Sequence, residues 1–294
     1  MTRSCPVCYS PPESAAVLHE STFDAACLDL FSFSSRKTPE KIHPRYLRCR
    51  ACGAAYASPY PDIDVSGLYA SAEFTSGEES LYAARSYAAA FDRCRRDPGA
   101  GPVLDIGCGD GAFLGELHSR GYDCRGIEPS EKPHSLVPDH LKGGVTLGFF
   151  GEGVYSDCSF EAVCCCQVLE HLPSPSGAVK AMRTVLRPGG LLFVVTHDFE
   201  SLPNRLMGGR SPVWDIEHFQ LFSPKSIGHM LALAGFRQIR VKRFINRYPL
   251  PYWARLLPAP VAMKSACIRA AHAAGKVFPP VPLYAGNMLV TAVK

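Results

Sequence analysis

From Val103 onward, short apolar runs alternate with stretches in which apolar residues recur every three or four positions. The runs Val103–Ile106, Asp123–Ile127, Gly144–Leu147, Phe160–Cys165 and Gly190–Thr196 predict buried strands. The segment A-F-L-G-E-L-H-S-R-G after the first run predicts an amphipathic helix, and so does Ser176–Val185, which L-R-P-G-G closes. A further helix is expected over Pro224–Ala234, with strands at Gln238–Arg243 and Asn287–Val293. Strand and helix in alternation predict an α/β fold, a doubly wound and mostly parallel sheet. Residues 61–98 read as helical. An insert over about 250–283 is rich in proline and contains an apolar helical stretch, Val261–Val277.

The 294 residues suffice for one large domain and a small accessory one. The expected division is 1–60 as a four-cysteine module, 61–98 as a helical linker or lid, and 99–294 as the main α/β domain. The opening M-T-R-S-C-P-V-C lacks the apolar core of a signal peptide, and no apolar run reaches membrane-span length. Both features predict a cytoplasmic protein. In that setting thirteen cysteines imply thiols or metal ligands rather than a disulfide framework. Cys5-x-x-Cys8 and Cys49-x-x-Cys52-Gly53 have the spacing of two zinc knuckles, which predicts one structural Zn²⁺ on Cys5, Cys8, Cys49 and Cys52. Charge is uneven: residues 218–294 hold eleven Lys or Arg and no acid, within a chain of net charge +4. A basic C-terminal part opens the prospect of an anionic partner.

The most informative segment is V-L-D-I-G-C-G-D-G-A-F-L, Val103 to Leu114. A strand carrying Asp105 runs into Gly107, Gly109 and Gly111 and then a helix. Such a turn brings backbone close to a ligand at the carboxyl end of a parallel sheet. The spacing D-x-G-x-G-x-G differs from the dinucleotide fingerprint. It resembles motif I of the class I S-adenosylmethionine-dependent methyltransferases, whose sheet has seven strands in a Rossmann-like arrangement. Downstream, G-I-E-P-S, S-F-E-A-V-C-C-C-Q-V-L-E-H-L-P and L-R-P-G-G extend the resemblance. The second knuckle with Tyr56, Pro59-Tyr60-Pro61 and Tyr69 resembles the zinc-ribbon lead-in of small-molecule members.

The resemblance implies S-adenosylmethionine as methyl donor. Asp105, Gly107, Cys108, Gly109 and Gly111 would hold its methionine end and ribose. Glu128, followed by Pro129, would accept from the ribose hydroxyls. Phe149 or Phe150 stands where the family has a polar adenine partner, so adenine would be held by stacking and by backbone groups. Cys166 and Gln167 would line the sulfonium pocket. W-D-I-E-H-F-Q-L-F-S resembles a segment of small-molecule and glycan-precursor enzymes, which makes His218, with His197, the candidate catalytic base. Trp214, Phe219 and Phe222 would form an apolar wall.

The expected activity is O-methylation of a sugar, a nucleotide-linked sugar or a secondary metabolite. The alternatives are an RNA methyltransferase with a zinc module, or a C- or N-methyltransferase of a small molecule. A small-molecule acceptor is expected as partner, with an anionic acceptor, a homodimer and membrane-surface contact through 250–283 as further options. Nucleic acid is disfavoured because the basic residues are diluted among prolines and apolar residues.

Overall fold

A computed structural model describes residues 2–23, 42–61, 63–71, 78–95, 98–256, 261–275 and 279–294. Within the expected helical stretch 61–98, residues 62, 72–77 and 96–97 lie outside the described residues. So do 257–260 and 276–278 of the insert. The elements are β1 (Ala15–His19), β2 (Tyr46–Cys49), β3 (Ala55–Ala57), α1 (Val65–Ala70), α2 (Glu78–Cys94), β4 (Val103–Ile106), α3 (Ala112–His118), β5 (Cys124–Glu128), α4 (Glu131–Ser135), α5 (Asp139–Lys142), β6 (Val145–Leu147), β7 (Phe160–Cys166), α6 (Pro175–Val185), β8 (Leu186–His197), α7 (Leu202–Met207), β9 (Gln220–Leu221), α8 (Pro224–Leu233), β10 (Arg237–Tyr248), α9 (Leu250–Leu256), α10 (Val261–Gly275) and β11 (Val281–Val293).

Seven strands form the main sheet in the order β10-β11-β8-β7-β4-β5-β6. The run from β8 to β6 is parallel, and β11 lies antiparallel between β8 and β10. The sheet is buried on both faces, so its central strands are apolar throughout rather than alternating. Leu104, Ile106, Val163, Cys165, Leu192 and Val194 face one side, packed with Met182 and Val185 of α6 and Ile227 and Met230 of α8. Val103, Ala162, Cys164, Phe193 and Val195 face the other, against Tyr87 and Phe91 of α2 and Phe113 and Leu117 of α3. Each large side chain so buried contributes about 1.5–3 kcal/mol. The triple cysteine is thereby explained: Cys164 and Cys165 fill opposite faces, and only Cys166, at the strand end, reaches the cavity described below.

A smaller antiparallel sheet has the order β1-β2-β3-β9. Its fourth strand comes from the far end of the chain, so β1, β2 and β3 share a sheet with Gln220–Leu221. Arg3 reinforces the join, donating to the carbonyls of Ala57 at 2.7 Å and Phe219 at 2.8 Å. Buried Tyr46 of β2 donates from its hydroxyl to the carbonyls of Asp215 (2.9 Å) and His218 (2.5 Å). The N-terminal sheet therefore fixes the loop that carries His218.

Three expectations need correction. L-R-P-G-G does not merely end α6, because Leu186 to Gly190 are the start of β8. The last two strands are far longer than their apolar cores: β10 reaches Tyr248, and β11 begins at Val281. Strands β1 and β9 were not expected at all. Both are short and complete a sheet whose other members lie elsewhere in sequence.

Candidate active site

The carboxyl ends of β4, β5, β7 and β8 open into one cavity of about 810 Å³. At its floor the chain turns through Gly107 (φ 69°) and Gly109 (φ 57°), a left-handed conformation that glycine alone adopts without strain. A Cβ on Gly107 would stand 2.5 Å from Val168 Cγ2, whereas one on Gly109 would meet nothing within 4 Å. The first glycine lets the loop pack, and the second leaves room above it.

Glu128, at the end of β5, governs the loop. Its Oε2 accepts from the Gly109 amide at 2.8 Å and its Oε1 from the Ser130 amide at 2.9 Å. Burial raises its pKa, and these amide donors oppose the rise. Ser130 also donates from its hydroxyl to the Tyr69 carbonyl at 2.6 Å, which pins α1 above the cradle. Asp105 is buried beside the loop, and its Oδ1 has no hydrogen-bond partner. Burial, with Glu128 nearby, pushes its carboxyl well above the usual carboxylate range. Gln167 takes φ 57° at the end of β7 and leaves a buried Oε1 without a partner. A strained residue with an unmet acceptor, on a cavity wall, is a mark of a ligand contact.

Beyond the cradle lies a second polar group. Glu170, in the turn after β7, is fully buried; its Oε2 accepts from Thr196 Oγ1 at 2.9 Å. Burial lifts its pKa to about 7. His197, the last residue of β8, donates from Nδ1 to Asn287 Oδ1 at 2.8 Å and turns Nε2 toward Glu170 Oε1 at 3.7 Å. Burial, with His218 adjacent, lowers its pKa to about 3, so the ring is neutral. His218 donates from Nδ1 to the Val213 carbonyl at 2.7 Å. Its ring centroid lies 5.2 Å from that of His197 and 4.9 Å from that of His171. Tyr69 approaches His171 Nδ1 at 2.9 Å.

Of the residues expected at the site, Asp105, Gly107, Cys108, Gly109, Glu128, Pro129, Phe149, Phe150, Cys166, Gln167, His197 and His218 all line this cavity. Gly111 does not. It caps α3 in the left-handed conformation, with Val137 behind it. Trp214, Phe219 and Phe222 do not line it either. They are buried in three separate packing clusters that support the His218 loop from behind. Glu170 and His171, the E-H of the strand-four signature, stand in the turn after β7, and His171 lines the cavity while Glu170 is buried behind it. Asn246 and Asn287 gave no sequence signal, because they come from antiparallel strands at the far end of the chain.

The four cysteines of the N-terminal module converge as well. Cys5 Sγ lies 3.6 Å from Cys52 Sγ, and Cys8 Sγ 3.6 Å from Cys49 Sγ. All four sulfurs fall within 4.8 Å of one another. Zinc bound to four thiolates at about 2.3 Å sets sulfurs roughly 3.8 Å apart, so the residues fit that ion.

A glycine cradle with a carboxylate at the end of the next parallel strand forms a nucleoside-binding site at the carboxyl end of the sheet. Residues 80–241 match the family model described as a methyltransferase domain, and the chain belongs to that family. It is 35% identical over 102 residues to a ubiquinone biosynthesis O-methyltransferase from Paraburkholderia phymatum, covering 32% of this chain and 43% of that one. A namesake from Burkholderia thailandensis is 26% identical over 163 residues, covering 50% and 69% respectively. The chain thus spans less than half the length of the first of these relatives. Solved structures share the fold. A methyltransferase from Archaeoglobus fulgidus that depends on S-adenosylmethionine superposes with TM-score 0.51 at 17% identity, covering 74% of this chain and 97% of that one. A possible histamine N-methyltransferase from Thermotoga maritima gives 0.50 at 20% identity, with 73% and 91% covered.

Proposed function

We propose that this protein transfers the methyl group of S-adenosylmethionine to a hydroxyl oxygen of a small, uncharged acceptor. One observation carries the reading. Among the described residues the cavity wall holds six acidic side chains, Asp105, Asp110, Glu128, Glu152, Asp215 and Glu217, and no Lys or Arg. Unmet buried acceptors on Asp105 and Gln167 add to this field. Such a wall favours a cation rich in donors, and the donor is a sulfonium that also carries an ammonium. When bound, it supplies a methyl group on positively charged sulfur.

In this reading Gly107, Cys108 and Gly109 offer backbone at the cradle, and Glu128 receives the ribose hydroxyls. Phe149 and Phe150 flank the adenine, and Cys166 and Gln167 border the sulfonium. On the acceptor side His218, with its proton fixed on Nδ1 by Val213, has its lone pair on Nε2 and takes the acceptor's proton. His197 positions the acceptor, its ring kept neutral by burial. The cavity is at the large end of the range for small-molecule sites, which suits two ligands.

Oxygen as the target is supported by the relatives, which are named O-methyltransferases. Among the expected acceptors, a nucleotide-linked sugar would set its diphosphate against the acidic wall. Tyr69, Tyr87 and Tyr252 on the same wall favour a neutral ring. An RNA acceptor meets the same objection: Arg237, Arg240, Lys242, Arg243 and Arg247 lie on β10, and none lines the cavity. The cysteine cluster supports a structural zinc, whose role is to hold the sheet that positions His218. The test is S-adenosylhomocysteine formation against a panel of phenols, neutral sugars, nucleotide sugars and RNA. Turnover with the neutral hydroxyl compounds is expected. Turnover confined to nucleotide sugars or RNA would refute the reading.

A further inference from the structure

We propose that Glu170, buried behind the acceptor wall of the cavity, and His197 and His218, which line it, form a binding site for one divalent transition-metal ion. The three residues come from separate segments: the turn after β7, the end of β8 and the loop before β9. Each presents one ligand atom, and these atoms all lie within 4.8 Å of one another. A tetrahedral ion held at about 2.0–2.1 Å would set them roughly 3.4 Å apart. His197 Nε2 and Glu170 Oε1 already stand at 3.7 Å.

The hydrogen bonds around the cluster are those of an outer ligand shell. An amide oxygen, Asn287 Oδ1, accepts from His197 Nδ1, and a backbone carbonyl, Val213, accepts from His218 Nδ1. Both rings are thereby set in the same tautomer, with the lone pair on Nε2. Metal-bound histidines are oriented in this way by carbonyl or carboxylate partners on the other nitrogen. Thr196 likewise anchors one oxygen of Glu170.

An independent observation points to a place for a cation. Glu170 is completely buried, its Oε1 has no hydrogen-bond partner, and it faces the lone-pair nitrogen of His197. Two acceptors this close call for a shared proton or a cation between them, and among the described residues no Lys or Arg lines the cavity to supply that charge. Two imidazoles and one carboxylate suit zinc, iron(II) or cobalt(II) rather than magnesium or calcium. Three protein ligands leave an open position. His197 and His218 both line the cavity, so that position opens toward the acceptor. A hydroxyl oxygen ligated there would ionise more readily. This last consequence rests on the O-methylation reading; the metal site itself does not. With the ion absent, His218 remains the base.

The experiment uses the full chain, loaded with one equivalent of zinc to fill the softer four-cysteine site and then titrated with Co²⁺. The expected result is a second equivalent bound, with visible d–d absorption and no sulfur-to-cobalt charge-transfer band. It should be lost in His197→Gln and in His218→Gln, taking the stoichiometry from two ions to one. Calorimetric binding of S-adenosylhomocysteine shows that the variants are folded. In the wild-type protein, paramagnetically shifted imidazole N–H resonances from two histidines provide a readout that needs no variant. The proposal is overturned if wild type binds a single ion, if the second ion gives a thiolate spectrum, or if it persists unchanged in both variants. If it fails while chelated enzyme still methylates hydroxyl acceptors, the functional reading stands and only the metal site is lost.

Discussion

Gly107 and Gly109 are both in the left-handed region and only two residues apart, yet the structure gives them different reasons to be glycine. Replacing either with alanine forces a Cβ into that region, at a cost of about 1–2 kcal/mol. At Gly109 this is the whole effect, since the new atom meets nothing within 4 Å. At Gly107 the atom would sit 2.5 Å from Val168 Cγ2 and 3.2 Å from Cγ1, well inside contact. Forcing a methyl group into such a place adds about 1–3 kcal/mol. Gly107→Ala should therefore destabilise by about 2–5 kcal/mol and Gly109→Ala by about 1–2 kcal/mol. Urea unfolding of both variants measures the difference. Because the extra term is a contact with one side chain, Val168→Ala should relieve it, giving a favourable coupling of about 1–3 kcal/mol in a double-mutant cycle with Gly107→Ala. Function should split the other way. Gly109→Val points a side chain into the donor cradle, and S-adenosylhomocysteine affinity should fall by about 100-fold or more while the chain stays folded. Equal destabilisation at the two glycines, or no coupling with Val168, would refute this view of the loop.

Glu128→Gln loses the charge that holds two loop amides, and calorimetry should show donor binding weakened by about 1.5–3 kcal/mol, which is roughly 10- to 150-fold. Asp105 has a native pKa raised above its unfolded value, so the folded state binds the extra proton and wild-type stability falls as pH rises above about 4. Asp105→Asn removes that fall. It should equal wild type in acid and exceed it at neutral pH in thermal melts, while binding the donor less well. Zinc removal by a chelator, or Cys5→Ser, should lower kcat in a methyl-transfer assay more than it lowers donor affinity. The reason is that β2 holds the His218 loop through Tyr46, whereas the donor cradle is built by β4 and β5.

The parallel half of the sheet and the donor cradle were legible because both are local. Strands buried on two faces give continuous apolar runs, and the glycine turn follows its strand directly in sequence. Glu128 could be placed by its position at the end of the next strand. The acceptor wall was only half legible. His197 and His218 stood out as histidines beyond the core motifs, but what orients them does not lie nearby: Asn287 is 90 residues from His197. Trp214, Phe219 and Phe222 misled because aromatic residues next to a candidate base suggest a substrate wall. Their burial behind the loop depends on the N-terminal sheet, which pattern alone did not join to β9. The long β10 and β11 were underestimated because Arg247, Asn246 and Pro282 interrupt their apolar character, while their length comes from pairing with each other.

The whole account depends on where the donor sits. A crystal structure of the protein with S-adenosylhomocysteine tests it most directly. The account predicts the ribose hydroxyls within hydrogen-bond reach of Glu128, backbone of Gly107 to Gly109 against the nucleoside, and the sulfur directed toward His197 and His218. Density for the ligand outside this cavity, or a ribose that does not touch Glu128, would contradict it.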